Sequence, residues 1–598
     1  MSDAASLDRA TALLREGRPA DAAALLGAVL AREPKHAIAA HLMGLALKDT
    51  GDWAQGEEWL RFSIGLQPGQ GEFHANLGNL LRKRQKYPEA EAAYREALRC
   101  LPHHRPARRG LAQTLNDLKR PAQAEEQCRI LLGAEGNDAE AWEILALALS
   151  AQERTAEAER AHRRAIALNP DNAVAHHNLG ALLVRLERPD AMASLETAKR
   201  LGADGYEVAY NRGRAAINAG DLENAEAAFA RAAELQPCDV EVQRTLANVR
   251  FMRGDPAFVR ALVAAVRANR DDLALQTLLA ELLWRSGDLA AAETILRDAV
   301  ARGTDPGARS ALAMVLLDQG RLEEAEAEAL EAAAVKSAGP AVTLNLVTIL
   351  LLRGRAEDAQ PFIAAQLRRD PRAQAWLALE ATAARMLGQE RYGELFDYDR
   401  LVRIFDLDPP PGFGSMADFN EALAAVLRDR HRFSRQPLDQ TLRNGTQTSR
   451  SLLTDPEPVV QAALRAFQEA VEEYRHGLAL SSDHPLAFAK QGSMGFTGAW
   501  SVRLQRNGFH VNHYHPEGLV SSAYYVEVPD EVRDPGLKSG WIKFGEPRYP
   551  INGLGAERHI QPVPGRLVLF PSYMWHGTNP IYGSDPRMCI AFDMRPQP

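Results

Sequence analysis

Residues 72–98 read EFHANLGNLLRKRQKYPEAEAAYREAL. Ala75, Leu77, Gly78 and Leu81 recur in steps that lay one apolar stripe along a helix, not the alternation of a strand. Lys86-Tyr87-Pro88 interrupts the stripe, and Ala90, Ala93, Tyr94, Ala97 and Leu98 start a second one. The stretch therefore predicts two amphipathic helices joined by a tight turn. Gly78 is small enough to let them approach closely. Pro102 follows and cannot continue a helical hydrogen-bond ladder.

Outward from this stretch the pattern repeats. Pro34, Pro68 and Pro102 are 34 residues apart, and Pro170 keeps the phase after a unit with Gly136 in that slot. Asp204, Pro237, Asp271, Pro306, Pro340 and Pro371 continue the beat more loosely. Small residues at Gly44, Gly78, Ala112, Ala146, Gly180, Gly213, Ala247 and Ala280 run in step. Two independent markers at one period predict stacked helical pairs, each supported by its neighbours. In length and markers these units, 72–98 and AHHNLGALLVRLERPDAMASLETAKRL at 175–201 among them, resemble the tetratricopeptide repeat. About eleven units fit between roughly residues 5 and 385. The resemblance implies an α-solenoid whose groove binds a protein or peptide. Asn76 and Asn178 share one slot, where some arrays of that family clamp a peptide backbone; the simpler reading is a solvated polar position on the inner helix.

Composition sets outer limits. The chain has 598 residues, 46% hydrophobic and 25% charged, enough for several domains with ordinary soluble cores. A net charge of −8, with no basic stripe, argues against nucleic acid. Cys100, Cys128, Cys238 and Cys589 are far apart, which predicts no disulfide framework and fits a reducing compartment. The N-terminal residues lack the basic and apolar regions of a signal peptide, and no apolar run is long enough for a membrane span. The expectation is a cytoplasmic protein without a membrane partner.

Helical periodicity breaks at Asp408-Pro-Pro-Pro-Gly-Phe-Gly414. This divides the chain into repeats over 1–385, a capping helix and Pro-rich linker over 386–414, and a C-terminal domain over 415–598. Two helices are expected from Ala417 and from Pro458, the second with Asp455 as a possible cap, and residues 443–448 between them as a polar loop. Strands are expected at 499–505, 508–514, 520–528, 541–544, 566–571 and 587–594. Short strands behind covering helices predict a double-stranded β-helix, or jelly roll.

His513-Tyr-His515 places two imidazoles on one face if the segment is a strand. His576 follows the strand-like Gly565-Arg-Leu-Val-Leu-Phe-Pro571, and Arg587 heads Met-Cys-Ile-Ala-Phe-Asp593. Iron(II) in oxygenases takes three ligands on one face and leaves positions for a chelating oxo acid and for oxygen. A buried arginine would pair bidentately with the far carboxylate of such an acid. Strand parity puts Arg587, Cys589 and Ala591 on one face, Met588, Ile590 and Phe592 on the other. Small residues beside the cation leave room for a ligand.

The segments NGTQT (444–448), HVNHYHPEGLVSSAYYVEVP (510–529), GWIKFGEP (540–547) and PGRLVLFPSYMWHGTNP with RMCIAFD (564–593) are similar to a bacterial branch of the 2-oxoglutarate- and iron(II)-dependent oxygenases. The resemblance covers the last quarter to third of the chain. It implies a dioxygenase using Fe(II), 2-oxoglutarate and O2 to hydroxylate a protein or peptide side chain. It assigns His513 and His576 to iron and Arg587 to the oxo acid. On the adjacent strand, Tyr525 or Tyr524 is placed either to hydrogen-bond that acid or to pack in the core. Most of the superfamily has an acidic residue two places after the first histidine; here that residue is His515. Three solutions stay open: a face of His513, His515 and His576; a His515-Pro-Glu517 pair with His513 outside; or two protein ligands only. Glu546 is a more remote donor. The alternatives to the whole reading are a repeat adaptor with a degenerate barrel and a cosubstrate-free cupin-type enzyme.

Overall fold

The computed structural model describes every residue except Met1, Ser2, Glu135, Thr304, Ser434, Asp439, Gln491 and Pro598. Its contacts divide it into two compact units, Met1–Asp204 and Gly205–Pro598. In the first, six helical pairs run from Asp3–Arg15 to Ala191–Arg200. Gly78 does what its size predicts: a Cβ there would lie 2.8 Å from the Tyr94 ring of the second helix. Asn76 and Asn178 are half-buried, and each amide also has a partner inside the array. Asn76 Nδ2 lies 3.1 Å from His41 Nε2, and Asn178 Nδ2 donates to Glu143 Oε1 at 2.5 Å. Each side chain is tied to the preceding repeat.

The second unit opens with five more pairs, from Tyr206–Ala219 to Ala356–Arg369, and then the helix Gln374–Met386. Asn345 Nδ2 repeats the same tie, donating to Ser310 Oγ at 2.9 Å. Nine strands follow among the described residues: β1 (Arg403–Asp406), β2 (Leu442–Gln447), β3 (Met494–His510), β4 (Val520–Glu527), β5 (Ile542–Phe544), β6 (Arg558–Ile560), β7 (Arg566–Pro571), β8 (His576–Thr578) and β9 (Arg587–Pro596). They make a six-stranded sheet in the order β1-β7-β4-β9-β3-β2 and a three-stranded sheet in the order β6-β5-β8. All pairings are antiparallel.

The sheets differ from the sequence expectation in instructive places. The segment expected as linker supplies β1, which pairs with β7 along the sheet edge. The 443–448 segment is not a loop; most of it lies in β2 on β3, with a register shift between Arg443 and Gly445. Two expected strands, 499–505 and 508–514, are one long strand that ends at His510. Asn507 inside it has φ +59°, a local break that reads as a turn in sequence. The helices are Met416–Arg430 and Pro458–Gly477. Asp455 accepts from Glu457 N–H, before the second helix begins, and pairs with Arg430 instead of capping a helical residue.

These helices cover one face of the large sheet. Phe467 stacks on Phe592 at 5.1 Å and meets Tyr524 at 4.8 Å. Met588, Ile590, Phe592 and Met594 of β9 are fully buried there. Alternation then sends Arg587, Cys589, Ala591 and Asp593 to a cavity on the other face.

Candidate functional site

His513 and His515 lie beyond the end of β3, so no regular strand aligns them. Backbone pairing does so instead. His513 N–H donates to His576 O at 2.8 Å, and His576 N–H returns the bond at 2.9 Å. His515 N–H donates to Ser572 O at 2.9 Å. Two short stretches sixty residues apart are thereby clamped side by side, and their three imidazoles converge.

Each ring has its Nδ1 engaged from behind. His513 Nδ1 meets Val511 O at 2.8 Å, His576 Nδ1 meets Met574 O at 2.9 Å, and His515 Nδ1 meets both Asp593 oxygens at 2.7 Å. Carbonyl and carboxylate oxygens accept, so Nδ1 carries the proton and the Nε2 lone pair points forward. His513 Nε2 and His515 Nε2 are 3.1 Å apart. Two lone pairs at that distance repel unless a cation or proton lies between them. One potential ligand atom from each of His513, His515 and His576 falls within 4.8 Å of the other two. Burial, followed by the neighbouring His515, pulls the His513 pKa down to about 3. Burial does the same to His576, which is held well below its ordinary value. Both rings are therefore neutral, the form that ligates metal.

Glu517 lines the same cavity but stands outside this cluster, on an exposed turn. Glu546 is occupied by an ion pair with Lys543. Asp593 is the residue that the sequence reading missed. It is buried, holds His515, and accepts from Ser521 Oγ at 2.6 Å, with Ser572 Oγ 2.8 Å from Ser521 Oγ. Strand parity carried one step past Ala591 would have found it.

The cavity has a volume of about 430 Å³ and holds the three histidines, Arg587 and Tyr525 together. Arg587 is 2% exposed, and its guanidinium lies 5.5 Å from the Tyr525 ring centre. One amino group donates to Gly540 O and the other approaches Cys589 Sγ at 3.7 Å. Arg587 Nε and Tyr525 Oη are both buried and have no hydrogen-bond partner among the described residues. Two unpartnered donors in one cavity fit a carboxylate, since leaving such groups bare costs about 1–3 kcal/mol each. Tyr524, the other candidate, faces away and donates to Asn420 Oδ1 at 2.7 Å under the covering helix. Trp575 packs on the last repeat helix, donating from Nε1 to Thr382 Oγ1 at 3.0 Å.

Comparison with known proteins agrees with both halves. A family model described as "Putative 2OG-Fe(II) oxygenase" matches residues 498–593. Three tetratricopeptide-repeat models match 7–71, 259–309 and 277–342; 81–148; and 139–172 and 206–237. No curated protein matches the chain. Among solved structures, a tetratricopeptide repeat protein from Parabacteroides merdae is 16% identical over 40% of this chain and 96% of its own, with a TM-score of 0.35. Yeast Tom70 is 13% identical over 65% of this chain and 96% of its own, with a TM-score of 0.33. Scores this low carry no functional argument. The family models and the repeat geometry together identify the chain as a tetratricopeptide-repeat protein whose residues 498–593 match the "Putative 2OG-Fe(II) oxygenase" model.

Proposed function

We propose that the chain is an Fe(II)- and 2-oxoglutarate-dependent dioxygenase that hydroxylates a side chain of a protein or peptide bound in the repeat groove. The observation that carries this reading is a single cavity with three convergent imidazoles and, in its wall, the unpartnered donors of Arg587 and Tyr525. His513, His515 and His576 would hold the iron, and Arg587 Nε and Tyr525 Oη the distal carboxylate of the oxo acid. When bound, iron and 2-oxoglutarate supply the oxidation: the acid becomes succinate and CO2, and one atom of O2 enters a substrate C–H bond. The chain's own part is positioning. The carbonyls of Val511 and Met574 and the carboxylate of Asp593 fix each imidazole's tautomer and aim. Phe570, whose ring is 4.6 Å from His576, and Ile542 keep the neighbouring wall dry.

In this reading the two sheets are the walls of a jelly roll, and the C-terminal domain runs over 415–598 behind repeats at 1–385 and a connecting 386–414 segment that lends it β1. Among the described residues no helix is long and apolar enough to cross a membrane. The dispersed free cysteines suit action in the cytoplasm.

The test is anaerobic addition of Fe(II) and 2-oxoglutarate to the full chain. A weak visible charge-transfer band should form and vanish in His576→Ala. Arg587→Ala should keep iron but lose about 2–5 kcal/mol of oxo-acid binding, at least a ~30-fold rise in apparent KM. A chain that forms no band, yet is folded and binds peptide, is an adaptor.

A further inference from the structure

Three cavities lie side by side in the second unit, each sharing wall residues with the next. The 430 Å³ metal-site cavity shares Thr441, His513, Tyr514 and Pro516 with a cavity of about 640 Å³. That one shares Thr277 and Glu281 with a third, of about 440 Å³, which reaches Val240 and Arg244. One wall of the path is built from successive first helices of the repeats, Val240–Met252, Leu273–Ser286, Pro306–Asp318 and Pro340–Leu352. The other is the 513–516 segment and residues 547–551, tied together where Asn512 Nδ2 donates to Pro547 O at 3.2 Å. Each cavity alone has the volume of a small-molecule site; three in series have the form of a channel for an extended chain.

The charges along this path are unequal. Glu281 is neutralised twice, by Arg244 at 2.9 Å and Arg285 at 2.9 Å. Asp305 is committed to the Ala308 N–H as a helix cap. Arg548, exposed and lining the same cavity as His513, has no carboxylate partner among the described residues; its guanidinium lies 5.5 Å from the ring of Tyr549. Arg443 sits close enough to feel Arg548 and Arg285, which add to burial in depressing its pKa. Trp284, Met314, Tyr514 and Trp575 supply apolar contact between the cations.

We propose that this channel binds an extended acidic segment of a protein substrate, with one carboxylate beside the reacting residue paired to Arg548. The proposal rests on the oxygenase reading for its direction, toward His513. It also narrows the recruiting surface to the inner helices from Val240 to Leu352.

Fluorescence polarisation of the full chain tests it, with no oxygen present. The probes are three fluorescein-labelled random peptide pools of equal length, carrying acidic, neutral or basic residues at alternate positions. The acidic pool should bind tightest and weaken with salt. Arg548→Ala should weaken it up to about fivefold, the range of an exposed ion pair, and Arg548→Glu about tenfold with preference moving to the basic pool. Thr277→Trp, at the junction of the two outer cavities, should weaken all three pools. Equal binding of the pools, or an unchanged acidic pool in Arg548→Glu, overturns the proposal. Displacement by N-acetyl-glutamate amide at matched concentration also overturns it, assigning the site to a small acid. Because polarisation needs no turnover, its outcome is separable from loss of the iron band.

Discussion

The repeats and the sheet region hold their polar groups at very different ranges. In the repeats, His41–Asn76, Glu143–Asn178 and Ser310–Asn345 are each 35 residues apart, one period plus a residue. Around the site, His515–Asp593 spans 78 residues, Ser521–Asp593 spans 72 and Arg587–Gly540 spans 47, with no common interval. A repeat can be understood from its own sequence and its neighbour's. A site built by β pairing needs the whole register before any ligand has an address.

Acid gives the largest expected effect and asks whether the two regions melt separately. His41, stacked 4.2 Å from Phe73 in the repeats, and His431, held by Thr446 and Ser501 beside the sheet, are each pulled down to about 4 by burial. Their folded pKa lies below the unfolded value of 6.5, so below that pH the unfolded chain binds protons that the folded one refuses. Stability is full above pH 6.5 and falls as pH drops toward 4, by at most on the order of 3 kcal/mol per group. Melting followed against pH should show this, and His41→Gln should flatten only the transition of the repeats. A single transition flattened by either variant would erase the contrast.

Asp593→Asn comes next. The amide cannot hold His515 Nδ1–H as a carboxylate does, and metal affinity should fall about 10- to 100-fold. Calorimetric titration with a redox-inert divalent ion reads this without turnover. Retention of affinity would detach His515 from the metal face and return the question to Glu517.

The smallest effect lies within the repeats. A left-handed residue follows each first helix: Gly17, Gly51, Gly220, Gly254, Gly287, Gly320 and Gly354 in seven repeats, but Gln85 at φ +60°, Lys119 at +59°, Glu153 at +60° and Glu187 at +52° in the other four. A side chain in that conformation costs about 1–2 kcal/mol, and glycine gives part of it back as chain entropy. Gln85→Gly should raise stability by about 0.5–1 kcal/mol in denaturant titrations. No gain would mean that side-chain contacts offset the strain.

The legible parts of the site were those carried by strand alternation. Arg587 and Cys589 face the cavity and Phe592 the helices, as the period of two requires. His513 and His515 do come together, but for a different reason: the bridge to His576, not a strand, aligns them. β2 was hidden because its Asn-Gly-Thr-Gln run has the composition of a turn, and an edge position tolerates that. β1 was hidden behind a proline-rich stretch, and only its pairing with β7 makes it a strand.

The sequence by itself determined the helical pairs, their period, and which residue types could bind iron and an oxo acid. Those features repeat locally, and every turn of helix or step of strand states them again. The tertiary structure alone decided that Asp593 stands behind His515, that Tyr525 rather than Tyr524 faces Arg587, and that the inner helices of the later repeats wall the approach to His513. Each of these depends on chain segments far apart in sequence meeting at a defined register, and no local pattern encodes that meeting.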